Sequence, residues 1–240
     1  MAAKGKKEKA VITNRTLREW VKNPDGTQGY TRNPVKGYCP MACPYCYARR
    51  MYRRFKWDKT IRFIPEVLDE IETLKKPSTI FIGSTMELFG KWVKEEWLKQ
   101  LFRFVRFHPE HTFIFLTKCP YNLRDRNPWP ENSFVGVTVT NMTEASDAVV
   151  VLRRVEASIR FISFEPLLGS PCLMDNFKVA VEWVIIGLQT PYSSKTAPKL
   201  EWVQEIVERA DRISIPVFLK NNLKPIWEGK LRQECPKVKQ

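Results

Sequence analysis

Three cysteines in one short stretch are the residues of this chain best suited to chemistry. Cys39, Cys43 and Cys46 follow the spacing Cys-x3-Cys-x2-Cys within the segment Gly37–Ala48. Three thiolates this close together can reach one metal centre from a single loop, and they leave a fourth coordination position open. An open position is typical of a reactive metal site rather than a closed structural one.

Other interpretations of these cysteines stay open on the residues alone. A zinc site normally has four ligands, and Cys119, Cys172 or Cys235 could complete a closed site with the loop. A disulfide framework is disfavoured, because six cysteines in 240 residues without a secretory signal indicate a reducing compartment.

The chain is strongly basic, with 40 Lys and Arg against 26 Asp and Glu and a net charge of +14. This charge favours contact with nucleic acid, although a solvated lysine-rich surface with many ion pairs has the same composition. No apolar run is long enough for a transmembrane helix, and Met1–Lys9 is polar and lysine-rich rather than a signal peptide. We therefore expect a cytoplasmic protein without membrane contact.

The segment after the last cysteine, residues 47–57, combines basic and aromatic residues in a helix-compatible composition. One helical face carries four arginines: Arg49, Arg50, Arg53 and Arg54. Basic residues interleaved with aromatic ones suit phosphate pairing and base stacking along a nucleic acid strand. The alternative is an amphipathic helix whose aromatics belong to the core and whose arginines are hydrated. We predict the four arginines as nucleic-acid contacts.

The rest of the chain alternates between strand-like and helix-like segments. Strands are predicted at 79–83, 112–116, 134–139, 159–164, 183–187 and 215–220, and helices at 65–75, 92–107, 143–155 and 200–212. Strands separated by helices indicate parallel βαβ units, and six or seven such units close or nearly close a barrel. The predicted fold class is α/β, a parallel partial barrel of the (βα)6 type. We expect it to span residues 26–222, between a basic N-terminal extension (1–25) and a C-terminal tail (223–240).

In such barrels functional residues sit at the carboxyl ends of the strands, and several predicted strands here end in polar residues. Glu165 follows an apolar strand, where an unpaired acid is unfavourable, so it either binds a ligand or forms an ion pair with a nearby arginine. Cys119 is either a free buried cysteine or, at the mouth of the site, a catalytic residue with a redox or radical-relay role. The last two strand ends carry amides and a hydroxyl that suit a base edge or a peptide equally well: Gln189, Thr190, Asn221 and Asn222.

The cysteine motif, with Tyr45 directly before its last cysteine, resembles the signature of the radical S-adenosylmethionine (SAM) superfamily. The resemblance implies a 4Fe-4S cluster on Cys39, Cys43 and Cys46, with SAM bound to the fourth iron. It also implies reductive cleavage of SAM to a 5'-deoxyadenosyl radical, which abstracts a hydrogen atom from the substrate. An electron donor such as flavodoxin or ferredoxin would then be a partner.

The resemblance extends from about residue 30 to residue 222. The chain is similar there to the phage-associated three-cysteine-motif family, a set of small radical-SAM-like proteins related to the spore photoproduct lyase branch. The segments that carry this similarity are Asn33–Pro34 with the cysteine motif, Phe115–Lys118, Val135–Thr138, Arg160–Leu167 and Trp183–Gly187. The chain departs from the family at Leu188–Thr190 and Asn221–Asn222, which would face the substrate, so its substrate can differ from that of its relatives.

The same resemblance implies SAM contacts at the strand ends. Residues 83–87 take the place of a Gly-Gly-Glu-like segment that holds the SAM amino group, here without the second glycine and with the acid displaced. Thr117 would hydrogen-bond the ribose or carboxylate of SAM, and Lys118 would neutralise the carboxylate. Thr138 lies in a segment similar to the one over which adenine lies. The predicted SAM-binding residues are Tyr45, Gly83, Ser84, Thr85, Glu87, Thr117, Lys118, Thr138 and Glu165.

These features together predict a monomeric radical SAM enzyme that modifies or repairs a nucleic acid. Radical modification of a protein or peptide is the alternative among enzymes. A nucleic-acid-binding module with a structural metal, in which SAM plays no part, is the alternative outside enzymes, and it requires a closed fourth ligand.

Overall fold

The computed structural model describes residues 15–171 and 175–237. Its main sheet has seven strands, all parallel, whose neighbours in space follow their order along the chain. They are β1 (Tyr30–Arg32), β4 (Thr79–Ile82), β5 (Thr112–Thr117), β6 (Ser133–Thr138), β7 (Ile159–Phe164), β8 (Trp183–Ile186) and β9 (Val217–Leu219). Because each crossover returns the chain in the same direction, the sheet curls into a partial barrel. The predicted parallel α/β partial barrel is confirmed, with seven strands.

The α-helices of the described residues are α1 (Tyr47–Arg54), α2 (Glu66–Asp69), α3 (Glu95–Arg106), α4 (Met142–Leu152) and α5 (Leu200–Arg212). A short antiparallel pair, β2 (Val35–Lys36) with β3 (Arg62–Phe63), brackets the cysteine loop and α1. The helix predicted at 65–75 is shorter, since α2 gives way to a 3₁₀ turn in which the Thr73 hydroxyl donates to the Glu70 carbonyl (2.7 Å). In the described part of the chain, no helix is long and apolar enough to cross a membrane.

The two faces of the main sheet bury different sets of side chains, because successive residues of a strand point in opposite directions. On the outer face, residues such as Phe115 and Val137 pack against the helices in the larger core cluster. On the inner face, a second cluster fills the barrel with large rings, among them Phe81, Phe161, Trp183 and Phe218. These rings fill the barrel of the described residues below the carboxyl ends of the strands.

Both segments predicted to lie outside the barrel contribute to it where they are described. Trp20 is 3% exposed and its ring lies 5.0 Å from that of Phe81 and 6.1 Å from that of Trp183. At the other terminus, the Leu219 N–H donates to the Arg232 carbonyl (2.7 Å), so residues 231–234 run along β9. Residues 1–14 and 238–240 of the predicted terminal segments lie outside the described residues.

Candidate active site

A cavity of about 410 Å³ opens at the carboxyl ends of the strands and contains all three motif cysteines in its lining. The alternation of the strands explains its charged residues. Leu116, Ser163 and Phe218 point into the barrel, so the residues two positions later point into the same space. Those later residues are Lys118, Glu165 and Lys220, and all three line the cavity.

The cysteine loop is held in place by hydrogen bonds from α1 and the strand pair. The Gly37 N–H donates to the Tyr52 hydroxyl (2.8 Å), and the Tyr38 N–H donates to the Lys59 carbonyl (2.9 Å). Arg49 donates to the Cys39 carbonyl (2.8 Å), and its guanidinium lies 3.9 Å from the centroid of the Tyr38 ring. These contacts anchor the loop to α1 and to the segment before β3.

The cysteines themselves are free thiols. Burial raises the pKa of the Cys39 and Cys43 thiols, and the nearby Lys118 ammonium opposes this rise at Cys43. At Cys39 the opposing contribution comes from backbone N–H groups, which include that of Glu87. Metal binding at this loop would therefore release protons, because the ligands of a metal are thiolates.

The charge of Lys118 acts on the Cys43 thiol. Burial lowers the pKa of Lys118, and the negative charges possible at Cys43 and Glu87 oppose that shift. The ammonium lies 5.6 Å from the centroid of the Tyr45 ring. Burial also raises the pKa of Tyr45, so its phenol stays protonated beside the cysteines. A half-buried lysine in this position favours an anion in the cavity.

No fourth cysteine lines this cavity among the described residues. The Cys119 sulfur lies 3.9 Å from that of Met41, and burial raises the pKa of Cys119 to about 12. Cys235 is exposed and follows Glu234, whose N–H donates to the Val217 carbonyl at the amino end of β9, away from the cavity. Cys172 lies outside the described residues.

Within residues 15–171 and 175–237, no three His, Cys, Asp or Glu side chains are grouped so as to hold a single metal ion. A 4Fe-4S cluster makes a different demand, since each cysteine binds a separate iron. Three free thiols from one loop that face a common cavity, with a cation beside them, fit such a cluster and leave one iron for an external ligand.

The loop after β4, predicted to hold the SAM amino group, lines the cavity through Gly83, Ser84, Thr85 and Glu87. Gly83 has φ of +82°, and a Cβ there would lie 2.5 Å from the Leu88 side chain, so only glycine fits. The Tyr47 hydroxyl donates to the Ser84 carbonyl (2.6 Å). This contact ties the loop to the start of α1.

Thr117 is the predicted cofactor contact that the structure places outside the cavity. It is 1% exposed and lies on the outer face of β5, where its hydroxyl donates to Glu87 (2.6 Å) and accepts from the Cys119 N–H (2.9 Å). The Glu87 carboxylate also accepts from the N–H groups of Lys118 (2.7 Å) and Phe89 (3.1 Å). About four acceptor positions exist on a carboxylate, so one remains.

The last two predicted SAM contacts, Thr138 and Glu165, both line the cavity. Glu165 forms an ion pair with Lys220, which is a lysine from the end of β9 rather than the arginine considered from the sequence. Gly187 lies against this pair, because a Cβ there would be 2.8 Å from Cδ of Lys220 and 3.3 Å from Cδ of Glu165. A larger residue at position 187 would therefore collide with this pair.

The four arginines predicted to bind nucleic acid divide into two sets. Arg49 faces the cysteine loop as described above, and Arg50 donates to the Thr190 carbonyl (2.5 Å) in the loop after β8. Arg53 and Arg54 are exposed. Arg49 and Arg50 are therefore tied to the loops around the cavity, whereas Arg53 and Arg54 face solvent.

Sequence reasoning missed two cavity residues that come from the segment before the cysteine loop. Arg18 and Trp20 both line the cavity, and Arg18 donates to the Tyr47 hydroxyl (2.5 Å). The signal available in the sequence was Trp20 beside Val21 in an otherwise polar segment, since tryptophan and valine side chains are mostly buried.

Two solved structures of spore photoproduct lyase are similar to this chain. One is a substituted variant with bound AdoMet and dinucleoside spore photoproduct, with a TM-score of 0.46, 11% identity, and coverage of 76% of this chain and 61% of that one. The other is complexed with dinucleoside spore photoproduct, with a TM-score of 0.44, 10% identity, and coverage of 85% and 65%. The chain thus matches less than two thirds of the length of either. No curated protein matches it.

A family model matches nearly the whole chain, from residue 19 to residue 237. The matched part includes the cysteine loop, every strand of the main sheet and all residues of the cavity lining except Arg18. The chain belongs to the family described as protein of unknown function (DUF5131).

Proposed function

We propose that this protein is a radical SAM enzyme that holds a 4Fe-4S cluster on Cys39, Cys43 and Cys46 and acts on a nucleic acid. The observation that carries the proposal is the common cavity. Three free thiols from one loop face the carboxyl ends of a parallel barrel, and no fourth cysteine of the described residues shares their cavity. An open coordination position at a barrel mouth is where an external ligand and a substrate can meet.

When bound, the cluster and SAM would supply a 5'-deoxyadenosyl radical for hydrogen abstraction. The protein's own residues orient and enclose the reactants. In this proposal Lys118 pairs with the SAM carboxylate, which is supported by its position as a half-buried cation next to Cys43. The loop 83–85 and Thr138 offer backbone and hydroxyl groups to the rest of the cofactor. In this proposal Thr117 does not contact SAM and instead orients Glu87 through its hydrogen bond.

The floor of the cavity is apolar. Trp20, Phe81 and Leu116 line it from below and belong to the aromatic-rich inner cluster. A radical that reacts with hydrogen atoms needs an enclosed site, since a water-excluded cavity suppresses side reactions. The Glu165–Lys220 pair also lines the cavity and is available to hold a polar part of the substrate.

A nucleic acid substrate is supported by charge. The net charge is +14, and Arg53 and Arg54 are exposed at the end of α1, the helix that follows the cysteine loop. Phosphate contacts of this kind provide most of the affinity of proteins for polynucleotides. We expect the reaction to be a modification or repair step on a base or sugar.

The test is anaerobic reconstitution with iron and sulfide, followed by dithionite and SAM, with 5'-deoxyadenosine quantified by chromatography. We expect product from the native protein and none from Cys39→Ala, Cys43→Ala or Cys46→Ala, because each removes an iron ligand. Single-stranded DNA, RNA and peptides added separately then identify the substrate class by stimulation of product. If a cluster forms but SAM is neither bound nor cleaved, the proposal is wrong and a binding module with a structural metal replaces it.

A further inference from the structure

A second cavity, of about 500 Å³, lies next to the cysteine cavity. Arg18, Tyr47, Ser84 and Thr85 line both. Arg18 donates to the Tyr47 hydroxyl (2.5 Å), which in turn donates to the Ser84 carbonyl (2.6 Å). The two cavities are therefore separated by one hydrogen-bonded partition centred on Tyr47.

The second cavity has an excess of positive charge. Among the described residues, its lining contains Arg18, Lys36 and Arg62 but one carboxylate, that of Asp58. Arg62 donates to this carboxylate (2.6 Å). The positive charges of Arg18 and Lys36 then have no carboxylate of the lining to neutralise them. Threonine hydroxyls of the same lining, those of Thr16 and Thr31, add polar groups. Such a lining favours an anion such as a phosphate group.

An exposed aromatic pair lies at the edge of the second cavity. Trp57 belongs to the cavity lining, and its ring stacks on that of Phe55 with centroids 5.5 Å apart and an interplanar angle of 23°. Phe55 is 51% exposed and Trp57 is 41% exposed. The exposed cations around the pair are Arg53, Arg54, Lys56 and Lys59. Aromatic faces among cations are what a nucleic acid base with its phosphates requires.

Lys56 lies between Phe55 and Trp57 in the chain and has an unfavourable backbone conformation. α1 ends in a Schellman motif, in which the Trp57 N–H donates to the Tyr52 carbonyl (3.2 Å) and Lys56 has φ of 51°. This left-handed position favours glycine. The turn brings Phe55 and Trp57 to the same side of the chain, and lysine in place of glycine adds a positive charge beside them.

We infer that the second cavity and the Phe55–Trp57 pair bind one nucleotide of a single-stranded nucleic acid. The base stacks on the pair, and Lys36 and the neighbouring cations hold its phosphate. A single strand is required because the faces of bases in a duplex are already stacked on one another. The neighbouring nucleotide then lies at the Tyr47 partition, next to the cysteine cavity. That last placement rests on the proposed function, whereas the binding of the strand does not.

The test measures binding of fluorescently labelled oligothymidylate and oligouridylate to the full-length, metal-free protein by anisotropy. Phe55→Ala removes half of the aromatic pair at an exposed position, and we expect a loss of affinity of about tenfold, since one stacked base is involved. The matched control is Phe107→Ala. Phe107 is 69% exposed at the end of α3, with Arg103 5.6 Å from its ring centroid, and we expect no change there.

Lys56→Gly tests the contribution of the Lys56 charge to binding without loss of stability. It relieves the left-handed strain, so the thermal midpoint should stay the same or rise, while the slope of log affinity against log salt falls by about one. Ser214→Gly is the control, because Ser214 has φ of 59° in the equivalent motif after α5, where the Ile215 N–H donates to the Ala210 carbonyl (2.9 Å). We expect Ser214→Gly to change the thermal midpoint as Lys56→Gly does but to bind the oligonucleotides like the native protein.

Lys36→Gln tests the cavity itself, with the exposed Lys178→Gln as its control. We expect weaker binding, and a smaller slope of log affinity against log salt, in Lys36→Gln but not in Lys178→Gln.

The inference is overturned if Phe55→Ala binds like the native protein, if duplex DNA binds as tightly as single strands, or if polyglutamate competes as well as an unlabelled oligonucleotide. Specific binding by the metal-free protein, together with a reconstituted protein that contains the cluster but does not cleave SAM, would uphold this inference and reject the proposed function. Comparison of the two labelled strands shows whether DNA or RNA binds more tightly.

Discussion

The hydroxyl of Thr117 donates a 2.6 Å hydrogen bond to Oε1 of Glu87 and so joins the end of β5 to the loop after β4. The backbone N–H of Glu87 in turn interacts with the Cys39 thiol. Both polar side chains are buried, at 1% and 8% exposure. This relay connects Thr117, on the outer face of the sheet, to Glu87 and Cys39, which both line the cavity.

Thr117→Val should therefore lower stability while leaving the cavity intact. The substitution removes one donor to Glu87 and the acceptor of the Cys119 N–H, and a buried group left unpaired costs about 1–3 kcal/mol in the free energy of unfolding. Urea unfolding measures this loss, and Thr117→Ser, which keeps the hydroxyl, should recover most of it. A direct cofactor contact predicts the reverse: unchanged unfolding with SAM affinity reduced tenfold or more in a binding titration.

The three motif cysteines should differ from Cys119 in iron binding. We expect Cys39→Ala, Cys43→Ala and Cys46→Ala each to fold, with iron and sulfide contents close to background after reconstitution, since each thiolate binds its own iron. Cys119→Ala should keep its iron, because Cys119 does not line the cavity. Colorimetric iron analysis and thermal unfolding of the metal-free proteins provide the two measurements. A loss of iron in Cys119→Ala equal to that in Cys43→Ala would indicate a closed site with four protein ligands.

The Glu165–Lys220 pair should behave as a coupled unit. Its side chains are 26% and 15% exposed, so Lys220→Met leaves a half-buried carboxylate without its partner and should lower stability by about 1–3 kcal/mol. Adding Glu165→Gln removes that charge, and the double variant should be more stable than Lys220→Met alone. A double-mutant cycle by urea unfolding should give a coupling energy of about 0.5–3 kcal/mol. Strict additivity of the two substitutions would show that the pair does not interact in solution.

His111 should make folding sensitive to mildly acidic pH. It is 1% exposed, its Nδ1 accepts the Ser78 N–H (3.2 Å), and burial lowers the pKa of His111, with Glu110 opposing this shift and His108 adding to it. The unfolded chain then binds more protons than the folded one. Stability is therefore fully present above the unfolded pKa of about 6.5 and declines as the pH falls below it.

The measurement is the urea midpoint between about pH 7.5 and about pH 5.5, a window that spans the unfolded histidine pKa. His111→Asn, whose Oδ1 can accept the same N–H, should reduce the pH dependence. His108→Gln serves as the control, because these two are the only histidines of the chain. An unchanged pH dependence in His111→Asn would assign the effect to other groups.

The sequence alone was enough for the cysteine loop and the class of fold. The loop is a local motif whose ligand spacing does not depend on distant residues, and the strands are recognisable because helices separate them. The strand predicted at 159–164 has the observed bounds, and others differ by one to three residues at their ends. The closer resemblance to the phage-associated three-cysteine-motif family stays a prediction.

Only the tertiary structure decided which residues face the cavity. In β5, both faces are buried and nearly all residues are apolar, so no polar alternation indicates that Leu116 and Lys118 point inward while Thr117 points outward. The position of Trp20 inside the barrel and the pairing of Glu165 with Lys220 likewise depend on contacts between residues far apart in the chain. Local patterns specify which segments become strands, but the closure of the sheet determines which of their side chains meet.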